Sequence, residues 1–201
     1  IQHKEKLTKN DYIIVCGDFG FIWNGDYKKQ LYKLHKCTEA TILFVDGNHE
    51  NFNKLNSYPM EVWNGGYVHK LRHNLIHLMR GEIYIIEGKT FFTFGGGYSI
   101  DKPFRKENVS WWPAEMPNTK EYENGLQHLS NRDHVDYIIT HTAPDETVYF
   151  LSTIKQFHIK GDVYQEMPLT TYLNDIQKNT NYTHWYFGHF HVDKELWRNQ
   201  T

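Results

Sequence analysis

The sequence predicts an α/β fold with both parallel and antiparallel strands, and three observations carry that prediction. A strand-like run, a stretch of helical periodicity and a second strand-like run follow one another near the start, the order of a parallel βαβ unit. Two later runs flank Glu87-Gly88-Lys89 as the arms of an antiparallel hairpin. Four of the runs end on polar residues, as buried strands do where they enter loops.

Taken in order, residues 12–16, YIIVC, form the first strand and close on Gly17-Asp18. Tyr27, Leu31 and Leu34 then fall at helical spacing with lysines on the other faces. Residues 41–45, TILFV, form a strand that closes on Asp46-Gly47-Asn48-His49-Glu50. A further strand is expected over 75–79, followed by the hairpin strands 83–86 and 90–94. Asn118 stands three residues before Glu121, the spacing of a capping box, with Tyr122, Leu126 and Leu129 as the apolar face of the helix it starts. Residues 135–139, VDYII, run into Thr140-His141, and 183–187, THWYF, run into Gly188-His189.

Bulk composition bounds the class. With 39% hydrophobic and 16% aromatic residues in 201, one domain spanning 1–201 is expected, with no repeats or linkers. Lys and Arg total 22 against 24 Asp and Glu, which leaves no basic field for duplex nucleic acid. Cys16 and Cys37 have neither zinc-site nor disulfide spacing, so a reducing, cytoplasmic setting is expected. No apolar run approaches the roughly 18 residues of a membrane span, and no leader is visible.

The strand ends carry the chemistry. In α/β sheets, sites gather beyond the carboxyl ends of strands. Asp18, Asn48, His141, His189 and His191 all lie on that edge if the strands are neighbours. One carboxylate, one amide and three imidazoles form a mixed oxygen and nitrogen set without thiolate, suited to Mn, Fe, Zn or Ni rather than Ca. Any one of them alone reads as a turn residue; five together do not.

Gly17-Asp18, Gly47-Asn48-His49-Glu50, His141 in ITHTAP and Gly188-His189-Phe190-His191 resemble, in order, four of the five motif blocks of the calcineurin-like metallophosphoesterases. The resemblance implies a sandwich of two mixed β-sheets flanked by helices. It also implies two divalent metal ions, Mn foremost, bridged by one Asp and one hydroxide that attacks a phosphomonoester or phosphodiester. By position, Asp18 resembles the bridging ligand, Asn48, His141 and His189 the other ligands of the second metal, and His191 a ligand of the first. His49 resembles the family's non-ligand histidine, which gives a proton or hydrogen bond to the reacting phosphate. Asp18 and His49 are thus the expected catalytic pair.

Two features depart from the family pattern. No Asp-x-His block precedes Asp18, so the first metal's shell is incomplete; residues 1–7 look like the tail of a helix, and a strand and most of that helix are expected to be missing upstream of Ile1. Loss of that strand would expose an edge beside 12–16, from which a homodimer is expected. Where many relatives carry a second Asp, this chain has Phe21, leaving Glu50 and Asp26 as candidates to orient His49.

Substrate choice is expected to reside in residues 95–117, where Arg105, Tyr98 and Asp101 are candidate contacts. Trp111 and Trp112 read either as a stacking platform for a base or as core beneath a long loop. The expected function is metal-dependent hydrolysis of a small phosphorylated substrate such as a nucleotide, without membrane attachment. The alternative is a metal-binding interaction scaffold that has kept the fold and lost turnover.

Overall fold

The computed structural model describes residues 6–23, 25–153 and 165–196. Two mixed sheets face each other, with helices on their outer faces. The first sheet has the order β1-β2-β5-β4-β3, formed by β1 (Tyr12–Cys16), β2 (Thr41–Val45), β5 (Leu75–Leu78), β4 (Gly66–Arg72) and β3 (Met60–Trp63). The second has the order β6-β7-β8-β9, formed by β6 (Glu82–Ile86), β7 (Lys89–Phe94), β8 (Val135–Thr140) and β9 (Tyr182–Tyr186). The helices are α1 (Tyr27–Cys37), α2 (Phe52–Leu55), α3 (Thr119–Ser130), α4 (Asp145–Thr153) and α5 (Met167–Asn179).

Strand β2 shows why its sequence is apolar throughout. Ile42 and Phe44 pack outward with Leu31 of α1 and Leu55 of α2, while Leu43 and Val45 face inward with Ile76, Tyr84 and Ile139. A strand covered on both faces has no polar face to show. The outer face of the second sheet is covered in the same way, with Phe92, Phe94 and Ile138 packed against Leu129, Leu169 and Leu173.

The expected βαβ unit is present, with β1 and β2 parallel and in register from Tyr12–Thr41 to Cys16–Val45. The hairpin is tighter than expected: Lys89 belongs to β7, and Glu87 and Gly88 alone make the turn, at φ 50° and 75°. Positive φ at both positions matches the right-handed twist of the paired strands. Asn118 caps α3 through Lys120 and Glu121 amides at 3.0 and 3.2 Å, and Glu121 returns a bond to the Asn118 N–H at 2.7 Å. The buried face of α3 differs from the expected one. Leu126 is exposed, and Gly125 sits inward instead, where its bare Cα lets the turn at Gly81 approach. The β3–β4 hairpin, α4 and α5 had no clear sequence signal.

A buried ionic network backs the β2 end of the first sheet. Asp46, 1% exposed, accepts from Arg80 Nε and Nη2 at 2.9 and 2.5 Å and from His77 Nε2 at 3.1 Å. Arg80 also donates to Glu121 at 3.2 Å and to the carbonyls of Ala114 and Glu115, tying α3 and the 95–117 loop to β2. His77 Nδ1 meets His69 Nδ1 at 3.1 Å. Although burial opposes its charge, Arg80 and His77 hold the Asp46 carboxyl far below the usual range. No described helix is long and apolar enough to cross a membrane.

Removing one partner of such a pair strands the other in the interior. Arg80→Ala is therefore expected to cost about 3–5 kcal/mol in denaturant unfolding. Arg105→Ala, which breaks the partly exposed pair with Asp101, should cost under about 1 kcal/mol. Burial, helped by the neighbouring His77, lowers the His69 pKa to about 4. A depressed imidazole pKa means the unfolded chain takes up the proton first. Stability from this group is complete above about pH 6.5 and drains as the pH falls toward 4. His69→Gln should flatten that part of the stability–pH profile.

Candidate metal centre

Four strand ends deliver four donor side chains to one point. Asp18 follows β1, Asn48 follows β2, His141 follows β8 and His189 follows β9, so each sheet supplies two neighbouring parallel strands. His141 Nε2 lies 3.3 Å from Asp18 Oδ1, 3.1 Å from Asn48 Oδ1 and 3.2 Å from His189 Nδ1.

Hydrogen counting shows what these atoms need. His141 Nδ1 lies 2.8 Å from the Cys16 carbonyl, which only accepts, so Nδ1 carries the proton. Burial lowers the His141 pKa, keeping the ring neutral and Nε2 a bare lone pair. Asn48 Nδ2 donates to Ser99 Oγ at 3.2 Å, so its Oδ1 is the end that faces His141. Asp18 Oδ1 accepts the His49 backbone N–H at 2.9 Å. His189, whose pKa falls to about 3 through burial and the nearby His141, sets its Nδ1 3.2 Å from His141 Nε2 and its Nε2 3.6 Å from Glu166 Oε1. Lone pairs meet where hydrogen bonds would be expected.

A cation at this point would resolve that conflict. Transition ions bind N and O donors at about 2.0–2.2 Å, which places neighbouring donors roughly 3.0–3.5 Å apart, the range seen around His141. Among the described residues, no group of three or more His, Cys, Asp and Glu side chains is placed to hold a metal ion. Asn48 Oδ1, 3.1 Å from His141 Nε2, is a further oxygen donor beside Asp18, His141 and His189.

The backbone is bent to make this possible. Asp18 and His189 have φ of 51° and 64°, and His191 has 53°, a left-handed conformation unfavourable for residues with a Cβ. A Cβ on Gly17 would collide with the His141 ring, and one on Gly47 with Asp18 Oδ1. Glycine is required at both positions by close approach.

The remaining expected residues are placed as follows. His49 is half-buried beside the cluster, near enough to oppose protonation of His141 and His189. His191 is exposed and has no hydrogen bond or ion pair to the cluster among the described residues. Glu50 does not orient His49: its Oε1 accepts from the Phe19 and Gly20 amides at 2.7 and 3.4 Å, bracing the Asp18 loop. Asp26 is exposed at the start of α1. Arg105 is held within its own loop by Asp101 at 2.6 Å and the Ser110 carbonyl at 2.9 Å. Tyr98 lies beneath Lys102, 3.7 Å from its ring centroid, and gives its N–H to Glu166 at 3.0 Å. Trp112 is core, edge-on to Trp23, whereas Trp111 stacks with Lys102.

Sequence reasoning missed Glu166, Ser99 and Glu115. Burial raises the Glu166 pKa to about 7. Ser99 and Glu115 belong to the loop after β7, a fifth strand end on the same edge, and that position was the available signal. Glu166 had none.

A family model described as calcineurin-like phosphoesterase matches residues 1–193. Searches of curated proteins and of solved structures find no match.

Calorimetric titration with Mn²⁺ is expected to show binding that His141→Ala reduces at least about tenfold. Gly47→Ala, which alters no donor, should act in the same direction because the new methyl displaces Asp18. Equal affinity in all three proteins would remove the cluster as the binding site.

Proposed function

We infer that this chain, which belongs to the calcineurin-like phosphoesterase family, hydrolyses a small phosphate monoester or diester with the help of a divalent transition metal. One observation carries the reading: Asp18 Oδ1, Asn48 Oδ1 and His189 Nδ1 converge at 3.1–3.3 Å about His141 Nε2, whose ring has its proton committed to the Cys16 carbonyl on the other nitrogen. Such an ion, when bound, supplies Lewis-acid polarisation of a phosphoryl oxygen and lowers the pKa of water.

The chain's own residues do the rest. Asp18 holds negative charge at the centre of the set, and its left-handed backbone lets Oδ1 take the His49 N–H while facing His141. That bond fixes the start of the Asn48–Glu50 turn, which places the His49 imidazole at the rim. There it would donate a hydrogen bond to the phosphate or a proton to the departing oxygen. Arg105 is already neutralised by Asp101, so phosphate charge is balanced at the metal centre rather than by this arginine. We take manganese as the first metal to test and a nucleotide as one substrate to include.

A second reading has an observation of its own. His191 lies near enough to oppose protonation of His189 but makes no hydrogen bond to the donor cluster, so the hydrogen-bonding contacts among the described residues gather donors for one ion. A chain that holds one ion without turnover would be a metal-binding interaction scaffold. The two readings separate in one experiment with Mn²⁺ and simple mono- and diester substrates. Turnover is expected, Asp18→Asn should abolish it without unfolding the domain, and His49→Ala should lower kcat about 10²–10⁴-fold with Mn²⁺ affinity nearly unchanged. Mn²⁺ binding without any hydrolysis would favour the scaffold.

A further inference from the structure

We propose that Ser99 and Glu115 are positioning residues that lock the polarity of the Asn48 amide, so that its oxygen and not its nitrogen faces the metal centre. This rests on reading the cluster as a metal site. It adds residues outside the four matching motif blocks, from a loop whose sequence suggested only substrate contacts.

An asparagine side chain is nearly symmetrical in shape and opposite in chemistry at its two ends. Rotation by half a turn would replace a donor oxygen with an NH₂ group that cannot bind a cation. Something must set the choice before the ion arrives. Asn48 is 5% exposed, so water cannot do it.

The lock is read from the hydrogen bonds outward. Glu115, 0% exposed, lies 2.7 Å from Lys102 Nζ and accepts from the Ser99 amide at 2.8 Å on the same oxygen. Its other oxygen lies 2.8 Å from Ser99 Oγ. Ser99 has one hydroxyl proton and two acceptors for it, Glu115 at 2.8 Å and the Asn48 backbone carbonyl at 3.5 Å, and the nearer Glu115 oxygen takes it. What Ser99 Oγ then offers Asn48 is a lone pair. Only the NH₂ end satisfies it, and Asn48 Nδ2 lies 3.2 Å away. The Asn48 oxygen is thereby turned toward His141 Nε2, at 3.1 Å.

Lys102 completes the chain of cause. Its ammonium sits 3.7 Å from the Tyr98 ring centroid and 4.6 Å from that of Trp111, so the aromatic residues of this loop hold the cation that keeps Glu115 an acceptor. The peptide carbonyl of Glu115 also receives Arg80, which fastens the lock to the buried Asp46 network.

The test is calorimetric binding of Mn²⁺ alone, with no substrate present. Ser99→Ala is expected to weaken binding roughly 10–100-fold, as loss of a group that orients a metal ligand commonly does. Ser99→Thr, which keeps the hydroxyl, should restore most of the affinity. The deciding comparison uses Asn48→Asp, whose side chain has oxygen at both ends and needs no orientation. In that background Ser99→Ala should cost less than about threefold. If Ser99→Ala does not fold, the near-isosteric Ser99→Cys, a weak donor and acceptor, replaces it in both backgrounds. No Mn²⁺ binding by the unmodified chain would overturn the metal-site reading and the lock with it. Binding that Ser99→Ala leaves unchanged, or that it weakens equally in both backgrounds, would overturn the lock alone.

Discussion

The site depends on one hydrogen bond between the two sheets, from His141 Nδ1 on the β8 side to the carbonyl of Cys16 at the end of β1. It joins the sheets where their strands end, and it decides the chemistry of the ring. With the proton committed to Cys16, Nε2 has nothing to donate and must receive. The Gly188 N–H bonds the His141 carbonyl at 2.9 Å, so the same residue also places the turn that carries His189. Cys16 acts through its backbone, and its half-buried thiol, whose pKa burial pushes up to about 11, stays protonated.

A second constraint works from behind. The Asp46 carboxylate is solvated entirely by protein, and its main ligands come from Arg80 and His77. Because Arg80 also binds Glu121 and two carbonyls of the 95–117 loop, the turn bearing Asn48, the helix α3 and that loop are positioned together. Burying this many charges is a poor way to gain stability, since apolar residues of the same volume would serve as well or better. Its value here is directional: charges this deep tolerate few arrangements, and the one adopted holds Gly47 and Asn48 against Asp18 and His141.

Much of this was legible in the sequence, and the reasons it was or was not are physical. Strands β2, β7 and β8 are largely buried and β1, at a sheet edge, is partly covered along most of its length, and their apolar runs announced both their existence and their polar ends. The donors Asp18, Asn48, His141 and His189 were readable because each lies within three residues of the carboxyl end of a strand. Strands β3 and β4 were not, since Met60, Val62 and Tyr67 are exposed and the pair satisfies no single period of burial. Leu126 was misplaced because a helix face was counted by apolar residues, whereas the packing of α3 selects the small Gly125. Ser99, Glu115 and Glu166 escaped because their roles lie in what they do to another side chain, and spacing along the chain does not record that.

The cluster itself is costly to fold. Asp18 and His189 have strained backbones, and Asp18 Oδ1 and Asn48 Oδ1 lie 3.3 and 3.1 Å from His141 Nε2. Strain of this kind persists only where surrounding structure over-determines it. Here the Cys16–His141 bond, the Glu50 carboxylate beneath the Asp18 loop, and the Ser99–Glu115 contact behind Asn48 supply that surplus. Rigid elements thus bring together groups that would otherwise relax apart, which is the condition for binding a cation without first having to assemble its ligands. A cation bound there would relieve the repulsion among the donors, and that relief would add to the free energy favouring the occupied state.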